Sequence, residues 1–298
     1  LLSRDIDAAG LDLYHGLSNE LPVGIERARC RSLVTVHDLV FRRYPQQYSR
    51  IDGVIYDFKF RRACRVADRV IAVSEATRRD IVEQYRVPAE KIAVVYQGCD
   101  PLFFESVTSE RRAAVRARYN LPGEYLLSVG SIIPRKNLLG LAKSWSLLPD
   151  GRRPPLVVVG RGGDYCEQVR RWLSEARLEH RVHFLEGVPL SDLPALYQGA
   201  AAVAYLSRYE GFGIPVLEAV ASRIPVITSS VSSMPEAGGA AALLVNPDND
   251  AEIAAGLEEL LYSTSVRERL LAAGPAHLER FSRERLTADL LVEYRRLA

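Results

Sequence analysis

The chain lacks any apolar run near the roughly 18 residues that a bilayer span needs, and no stretch of it reads as a secretory leader. Cysteine is scarce. Cys30, Cys64, Cys99 and Cys166 lie too far apart for a disulfide framework or a zinc site, and they read as reduced thiols of a cytoplasmic protein. Charge of one sign is lacking too: a formal net charge of +2 is too small to imply a nucleic-acid partner. The chain opens at Leu1-Leu2-Ser3 without an initiator methionine, so it reads as a processed form or a fragment. Several chemical signatures are missing as well. There is no Walker A sequence, no Gly-x-Ser-x-Gly elbow and no zinc spacing, and neither Asp5-Ile6-Asp7 nor Asp248-Asn249-Asp250 reads as a metal motif. The stretch "GRGGDY" (Gly160–Tyr165) lacks the third glycine of the dinucleotide fingerprint. The sequence therefore predicts neither a metal site nor an obligatory cofactor.

What is present is ordinary globular material: 298 residues, 48% hydrophobic and 26% charged, a length that suggests two domains. Short β-branched runs alternate with segments of helical period, the pattern of parallel sheets covered by helices. Leu11–Leu17, Ser32–Leu39, Arg69–Ser74 and Lys91–Gly98 read as strands of a first domain. Helices fill Ile51–Val66 and Glu75–Tyr85, the second capped by Ser74. The polar "YNLPGEY" (Tyr119–Tyr125) is the expected linker, and five further strands follow it: "YLLSVG", "PLVVVG", "RVHFLEG", "AAVAYLS" and "IPVITSS". The expected fold class is α/β, with two Rossmann-like doubly wound domains facing a cleft. The first covers residues 1–118 and is joined by the amphipathic segment 282–298. The second covers 119–281. Ligands of such sheets sit at the carboxyl ends of the strands.

Residues 1–118 carry 20 basic and 16 acidic side chains, leaving +4 there and −2 in the remainder. Within them "RIDGVIYDFKFRRACR" (Arg50–Arg65) mixes aromatics with arginines. Two readings stay open for it: a solvated helix face with a few core aromatics, or a face for peripheral contact with a membrane surface.

Three constellations carry candidate chemistry. In "RYEGFGIPVLEAV" (Arg208–Val220) a helix opens at Ile214 with Pro215 in its first turn, where a missing N–H costs nothing. Glu218 then falls on the face that a buried helix turns to its core, where a charge is costly unless paired. It either snorkels at the helix edge under the helix dipole, or acts with Glu210 on one hydroxyl-rich ligand. The glycines of Gly211-Phe212-Gly213 allow close backbone approach, and the amides there point forward from the helix. In "SVGSIIPRKN" a strand ends at Gly130, and Arg135 and Lys136 precede a helix start near Asn137, an arrangement suited to pyrophosphate. In "TVHDL" His37 ends a strand, as a buried hydrogen-bonded histidine or as a polar contact to a reacting group, and His15 ends the strand before it. His180, His183 and His277 form no constellation.

With these residues assembled, the chain resembles glycosyltransferase family 4, retaining enzymes of GT-B architecture. The resemblance is most specific from Gly130 to Val245, in "RKN", "VVVGRGGDY", "SRYEGFGIPVLEAVASRIPVITSS" and "MPEAGGAAALLVNPDN", with the paired glutamates at Glu210 and Glu218. "VTVHDLVFRRYP" and "ADRVIAVSEATRRDIV" look like the first domain of its mannosyltransferase-like members. By position, the resemblance implies that Glu218 binds the donor's ribose hydroxyls. Glu210 and the amides of Gly211, Phe212 and Gly213 would hold the transferred sugar. Arg135 and Lys136 would neutralise the diphosphate, His37 would sit beside the reacting sugar, and backbone near Gly187 and Val188 would read the base. The implied activity is retaining transfer of a hexosyl group, mannosyl favoured, to a glycan or lipid-linked acceptor in cell-surface polysaccharide synthesis. GDP-mannose is the favoured donor and a UDP-sugar the alternative; the place is the cytoplasm or the inner face of the cell membrane. Ser131 departs from the pattern, since many members have Arg there. The family's first strand and glycine-rich loop would lie roughly 70 residues upstream on a domain-size argument. The first domain therefore reads as truncated, and the chain is expected to bind donor but transfer slowly. A nucleotide-sugar-binding module without efficient catalysis and another GT-B enzyme such as an epimerase are the alternatives.

Overall fold

A computed structural model describes residues 2–297. It divides into two compact units. The first holds residues up to Gly98, the tripeptide Glu210–Phe212, and residues from Phe281 onward. The second holds Cys99–Tyr209 and Gly213–Arg280.

The first unit is built on four parallel strands in sequential order: β1 (Leu13–Gly16), β2 (Arg31–Val36), β3 (Arg69–Ala72) and β4 (Ile92–Val94). Successive side chains of a strand face opposite ways, so each strand feeds two layers. Val34, Val36, Val70 and Ala72 pack with Ala63, Cys64 and Ile81 from the helices Arg50–Val66 and Glu75–Tyr85. Leu33 and Ile71 face the other way and meet Leu290, Tyr294 and Leu297 of the carboxyl-terminal segment, as its amphipathic pattern requires. Buried Glu293 of that helix pairs with Arg69 at 2.7 Å, a charge that burial would penalise without its partner. Ser49, Ser74 and Ser282 each cap a helix by accepting a backbone N–H, which satisfies a donor that has no partner within the helix.

The second unit has six parallel strands: β5 (Leu126–Val129), β6 (Leu156–Val159), β7 (Val182–Leu185), β8 (Ala202–Tyr205), β9 (Val226–Ser229) and β10 (Ala242–Val245), in the order β10-β9-β8-β5-β6-β7. This is a doubly wound sheet. Strands β6, β8 and β9 are buried along their length, as expected where helices cover both faces. Five strands were expected here; the sixth, β10, is four residues long and follows a short helix at Met234–Gly238, so it offers little periodicity to read.

The structure also places the division of the chain at Gly98/Cys99 rather than at 118/119. The helix Ser109–Arg118 is held in the second unit by Asp192, a fully buried carboxylate that accepts from Arg111 (2.5 Å), Arg118 (2.8 Å) and the Tyr119 hydroxyl (2.8 Å). Just before that helix, Phe103 packs edge-on against Tyr197, with ring centroids 5.3 Å apart. The expected linker is internal to this unit, because Tyr125 donates its hydroxyl to the Leu196 carbonyl and accepts at its own carbonyl from Ala201. Polar residues with Pro and Gly mark a turn equally well inside a domain and between domains.

No helix among the described residues is long and apolar enough to cross a membrane.

Candidate active site

The sheet of the second unit reverses its strand order between β5 and β8, and such switch points open a crevice beyond the carboxyl ends of the strands. Gly130 follows β5 there. The chain then makes a single turn at Pro134–Lys136, passes Asn137 in the left-handed region (φ 59°), and enters the helix Leu138–Ser146. That helix starts one residue later than expected, and its early N–H at Leu139 is already taken by the Tyr165 hydroxyl at 3.0 Å.

The two loops leaving β5 and β8 are tied together. The Arg208 N–H donates to the Arg135 carbonyl at 2.9 Å, and the Arg208 guanidinium reaches the Pro134 carbonyl and Asp248. Arg135 is buried and its guanidinium donates to the Tyr209 carbonyl, so it clamps the chain immediately before Glu210. Lys136 is half-buried; its ammonium donates to the Tyr205 hydroxyl and stands 4.9 Å from that ring's centroid, at the end of β8. The Arg-Lys pair expected to neutralise a diphosphate, with Arg135 carrying more of the binding, is thus divided. One member is a buried brace, and the other sits at a strand end.

Glu218 lies on the helix Ile214–Ala221, whose Val216 and Leu217 are fully buried. Its Oε2 accepts from the Tyr197 hydroxyl at 2.6 Å, a charge-assisted bond. Burial raises its pKa; the Tyr197 hydrogen bond opposes this, and the Asp100 charge adds to it. The same surroundings raise Tyr197 well above its ordinary value, through burial first and the Glu218 charge second. They also push the Cys99 thiol up to about 12, with burial the larger cause and Glu218 the next. This carboxylate does not snorkel: it is half-buried and hydrogen-bonded to Tyr197. Tyr197 is a residue that sequence reading missed. Its only signal was its place in "DLPALYQGA".

Gly187 (φ 66°) and Val188 follow β7 at the same carboxyl edge of the sheet, the glycine exposed and the valine half-buried.

Glu210, Gly211 and Phe212 belong to the first unit. A Cβ on Gly211 would fall 1.8 Å from the His37 carbonyl oxygen, so this glycine is required by protein backbone. The Gly211 carbonyl accepts from Ser74 (2.6 Å) and Thr77 (3.2 Å), and Phe212 joins Tyr96 and Phe281 in an aromatic trio with centroids 5.3–5.8 Å apart. Gly213, in the second unit, has φ 136°, and a Cβ there would meet the Met234 methyl at 2.5 Å.

His37 stands just past β2. Its Nε2 lies 2.9 Å from the Leu17 carbonyl, which can only accept, so the ring proton is on Nε2; Nδ1 faces the Gln97 amide at 3.2 Å. Both ring nitrogens are therefore engaged within the protein. His15 does not stand with these residues: its nitrogens bond Tyr294 (2.7 Å) and Thr35 (2.8 Å), pinning the terminal helix to the sheet, and burial lowers its pKa. His277 is buried against the Ala237 carbonyl at 2.7 Å. Among the described residues there is no cluster of three His, Cys, Asp or Glu side chains able to hold a metal ion.

Comparison with known proteins matches residues 112–277 to the model of glycosyl transferases group 1 and residues 1–102 to that of Glycosyltransferase Family 4. The O-antigen chain mannosyltransferase B of Escherichia coli is 32% identical over 289 residues, 96% of this chain and 74% of the relative. The O-antigen chain mannosyltransferase RfbU of Salmonella typhimurium is 32% identical over 217 residues, 73% of this chain and 57% of the relative. Among solved structures, a glycosyltransferase from Rickettsia africae superposes with a TM-score of 0.80 at 18% identity, covering 99% of this chain and 79% of the other. Anabaena Alr3699/HepE in complex with UDP gives 0.78 at 20% identity, covering 98% and 80%.

Proposed function

The chain belongs to glycosyltransferase family 4 and is a glycosyltransferase of GT-B fold, and on that premise we propose that it transfers a mannosyl group from GDP-mannose, with retention, to a glycan or lipid-linked acceptor. The observation that carries the reading is Glu218, a half-buried carboxylate held by the fully buried Tyr197 beside the switch point of a doubly wound sheet. A desolvated, pre-oriented carboxylate is the group that vicinal ribose hydroxyls bind well, and its cost to the fold calls for a ligand. The two relatives named above are O-antigen chain mannosyltransferases, which favours mannose and surface polysaccharide for this chain.

In this reading Lys136 neutralises the departing diphosphate, and Arg135 contributes by fixing the strand-end loops. Preorganised cations of this kind stabilise charge that develops as the leaving group departs. The bond between the anomeric carbon and the phosphate oxygen breaks through an oxocarbenium-like state. The acceptor oxygen attacks from the same face, and its proton passes to the departing phosphate. Glu210 and the backbone of Gly211–Gly213 hold the transferred sugar, His37 lies beside it, and Gly187 and Val188 lie beside the base.

The test is incubation of the purified chain with GDP-mannose, GDP-glucose and UDP-glucose and a set of lipid-linked oligosaccharide acceptors. GDP-mannose should be preferred, and the new linkage should be axial at the anomeric carbon by NMR. Preference for the UDP-sugar would overturn the donor assignment, and an inverted anomer would overturn the retaining mechanism.

A further inference from the structure

The helix Arg50–Val66 turns Phe60, Ala63 and Cys64 inward. At 100° per residue, the face pointing directly away from that core carries Ile51, Val54, Ile55 and Phe58, at spacings of three, one and three residues. A solvent-facing arc is ordinarily polar; these side chains are 72%, 71%, 43% and 67% exposed. The same arc continues into Arg62 and Arg65, and no carboxylate falls on it. Asp52 and Asp57 flank it, the first bonded to Ser49 and the second paired with Arg42 and Arg61. Arg62 is spent on this side of the protein, pairing with Glu26 at 2.5 Å and binding the Leu21 and Pro22 carbonyls, and Lys59 pairs with Glu20, so a loop is fastened along this helix and Arg65 is left as the cation of the arc. That loop adds Val23 (65% exposed), and Leu17 (68%) stands just before it. Between Leu17 and Val66 there are ten basic and five acidic side chains, leaving +5 in a chain whose total is +2.

Four large apolar side chains on one exposed helix face are more than scattered surface hydrophobics, and they mark a place that something covers. The charge says what. A two-fold contact between copies would set this cationic segment against itself, whereas an anionic surface complements it. We propose that this face is a lipid-docking surface: Ile51, Val54, Ile55 and Phe58 enter the boundary between headgroups and acyl chains of an anionic bilayer, and Arg50 and Arg65 meet the lipid phosphates. The inference goes beyond the transfer reading and does not depend on it, since none of these residues belongs to the donor or sugar machinery.

The experiment is co-sedimentation of the whole chain with phosphatidylcholine vesicles containing about one third phosphatidylglycerol, and with pure phosphatidylcholine. The chain should bind the anionic vesicles and release them as salt rises. The double variant Ile51→Ser/Phe58→Ser should bind at least about 10-fold more weakly, and Arg65→Glu should weaken binding several-fold. Melting temperatures should stay unchanged, because the replaced side chains lie outside the core. A Phe58→Trp variant should shift its emission to the blue on vesicles. The proposal is overturned if the chain binds neither vesicle, binds both equally, or binds equally well after the double substitution. It is also overturned if light scattering shows a dimer that the double substitution dissolves.

Discussion

Replacement of Glu218 by glutamine probes the proposed donor site at one atom. Glutamine keeps the shape and an oxygen that can accept from the Tyr197 hydroxyl, now 2.6 Å from Glu218 Oε2, but removes the charge. A hydrogen bond to a charged group contributes about 2 kcal/mol, so GDP affinity should fall about 30-fold. Stability should move the other way. The folded protein raises the Glu218 pKa above the ordinary carboxylate value, chiefly by burial, so the native state holds that proton more tightly than the unfolded chain. At pH below the unfolded value the group is protonated in both states and costs nothing. As pH rises through that value the unfolded chain ionises first and stability declines, until the native carboxyl has ionised too. The glutamine variant escapes that decline. It should melt with the wild type at acid pH and at or above it at neutral pH. Glu218→Ala differs, because it leaves the Tyr197 hydroxyl buried without that acceptor, at a cost of about 1–3 kcal/mol. Calorimetric titration with GDP and thermal melts across the acid-to-neutral range read both effects. Unchanged GDP affinity in a folded glutamine variant would show that the carboxylate does not meet the nucleotide. A lowered melting temperature at neutral pH would refute the burial argument.

Lys136→Gln should weaken GDP more than guanosine in calorimetry, because its ammonium at the end of β8 is assigned to phosphate; equal losses would remove it from that role. Arg135→Ala should mainly destabilise, by about 1–3 kcal/mol in denaturant melts, since it removes a buried guanidinium that shares the Tyr209 carbonyl with the Ser207 hydroxyl. A fully stable Arg135 variant would contradict its role as a brace. Gly211→Ala should cost about 1–3 kcal/mol or more, because the new Cβ meets the His37 carbonyl at 1.8 Å; a wild-type melting curve would show that this approach is not needed. Transfer should persist in EDTA, because Lys136 is assigned the neutralising of the diphosphate, and loss of activity restored by Mn²⁺ would show that a metal takes that role.

Local pattern was enough for the α/β class and most of the elements. The helices Glu75–Tyr85 and Ile214–Ala221 begin where Ser74 and Pro215 put them, because helix starts depend on neighbours within a few residues. The likeness to a known family, carried by Glu210, Glu218 and the loops around them, was legible for the same reason: those residues are close along the chain. Other features depended on partners far along it. Arg135 is a brace because of a carbonyl 74 positions away, Gly211 is required by the distant His37 backbone, and its carbonyl is held by Ser74, 137 positions away. Tyr197 became the partner of Glu218 only when β8 and the following helix brought them within 2.6 Å. The unit boundary moved to Gly98/Cys99 because Asp192 gathers Arg111, Arg118 and Tyr119 across more than 70 residues, whereas the Pro and Gly of 119–125 signal only a turn. Sequence by itself determined which segments fold as helices and strands and which carboxylates and cations are candidates. The tertiary structure decided which of those charges are spent on the protein itself, because burial and pairing are set by the contacts of the packed chain.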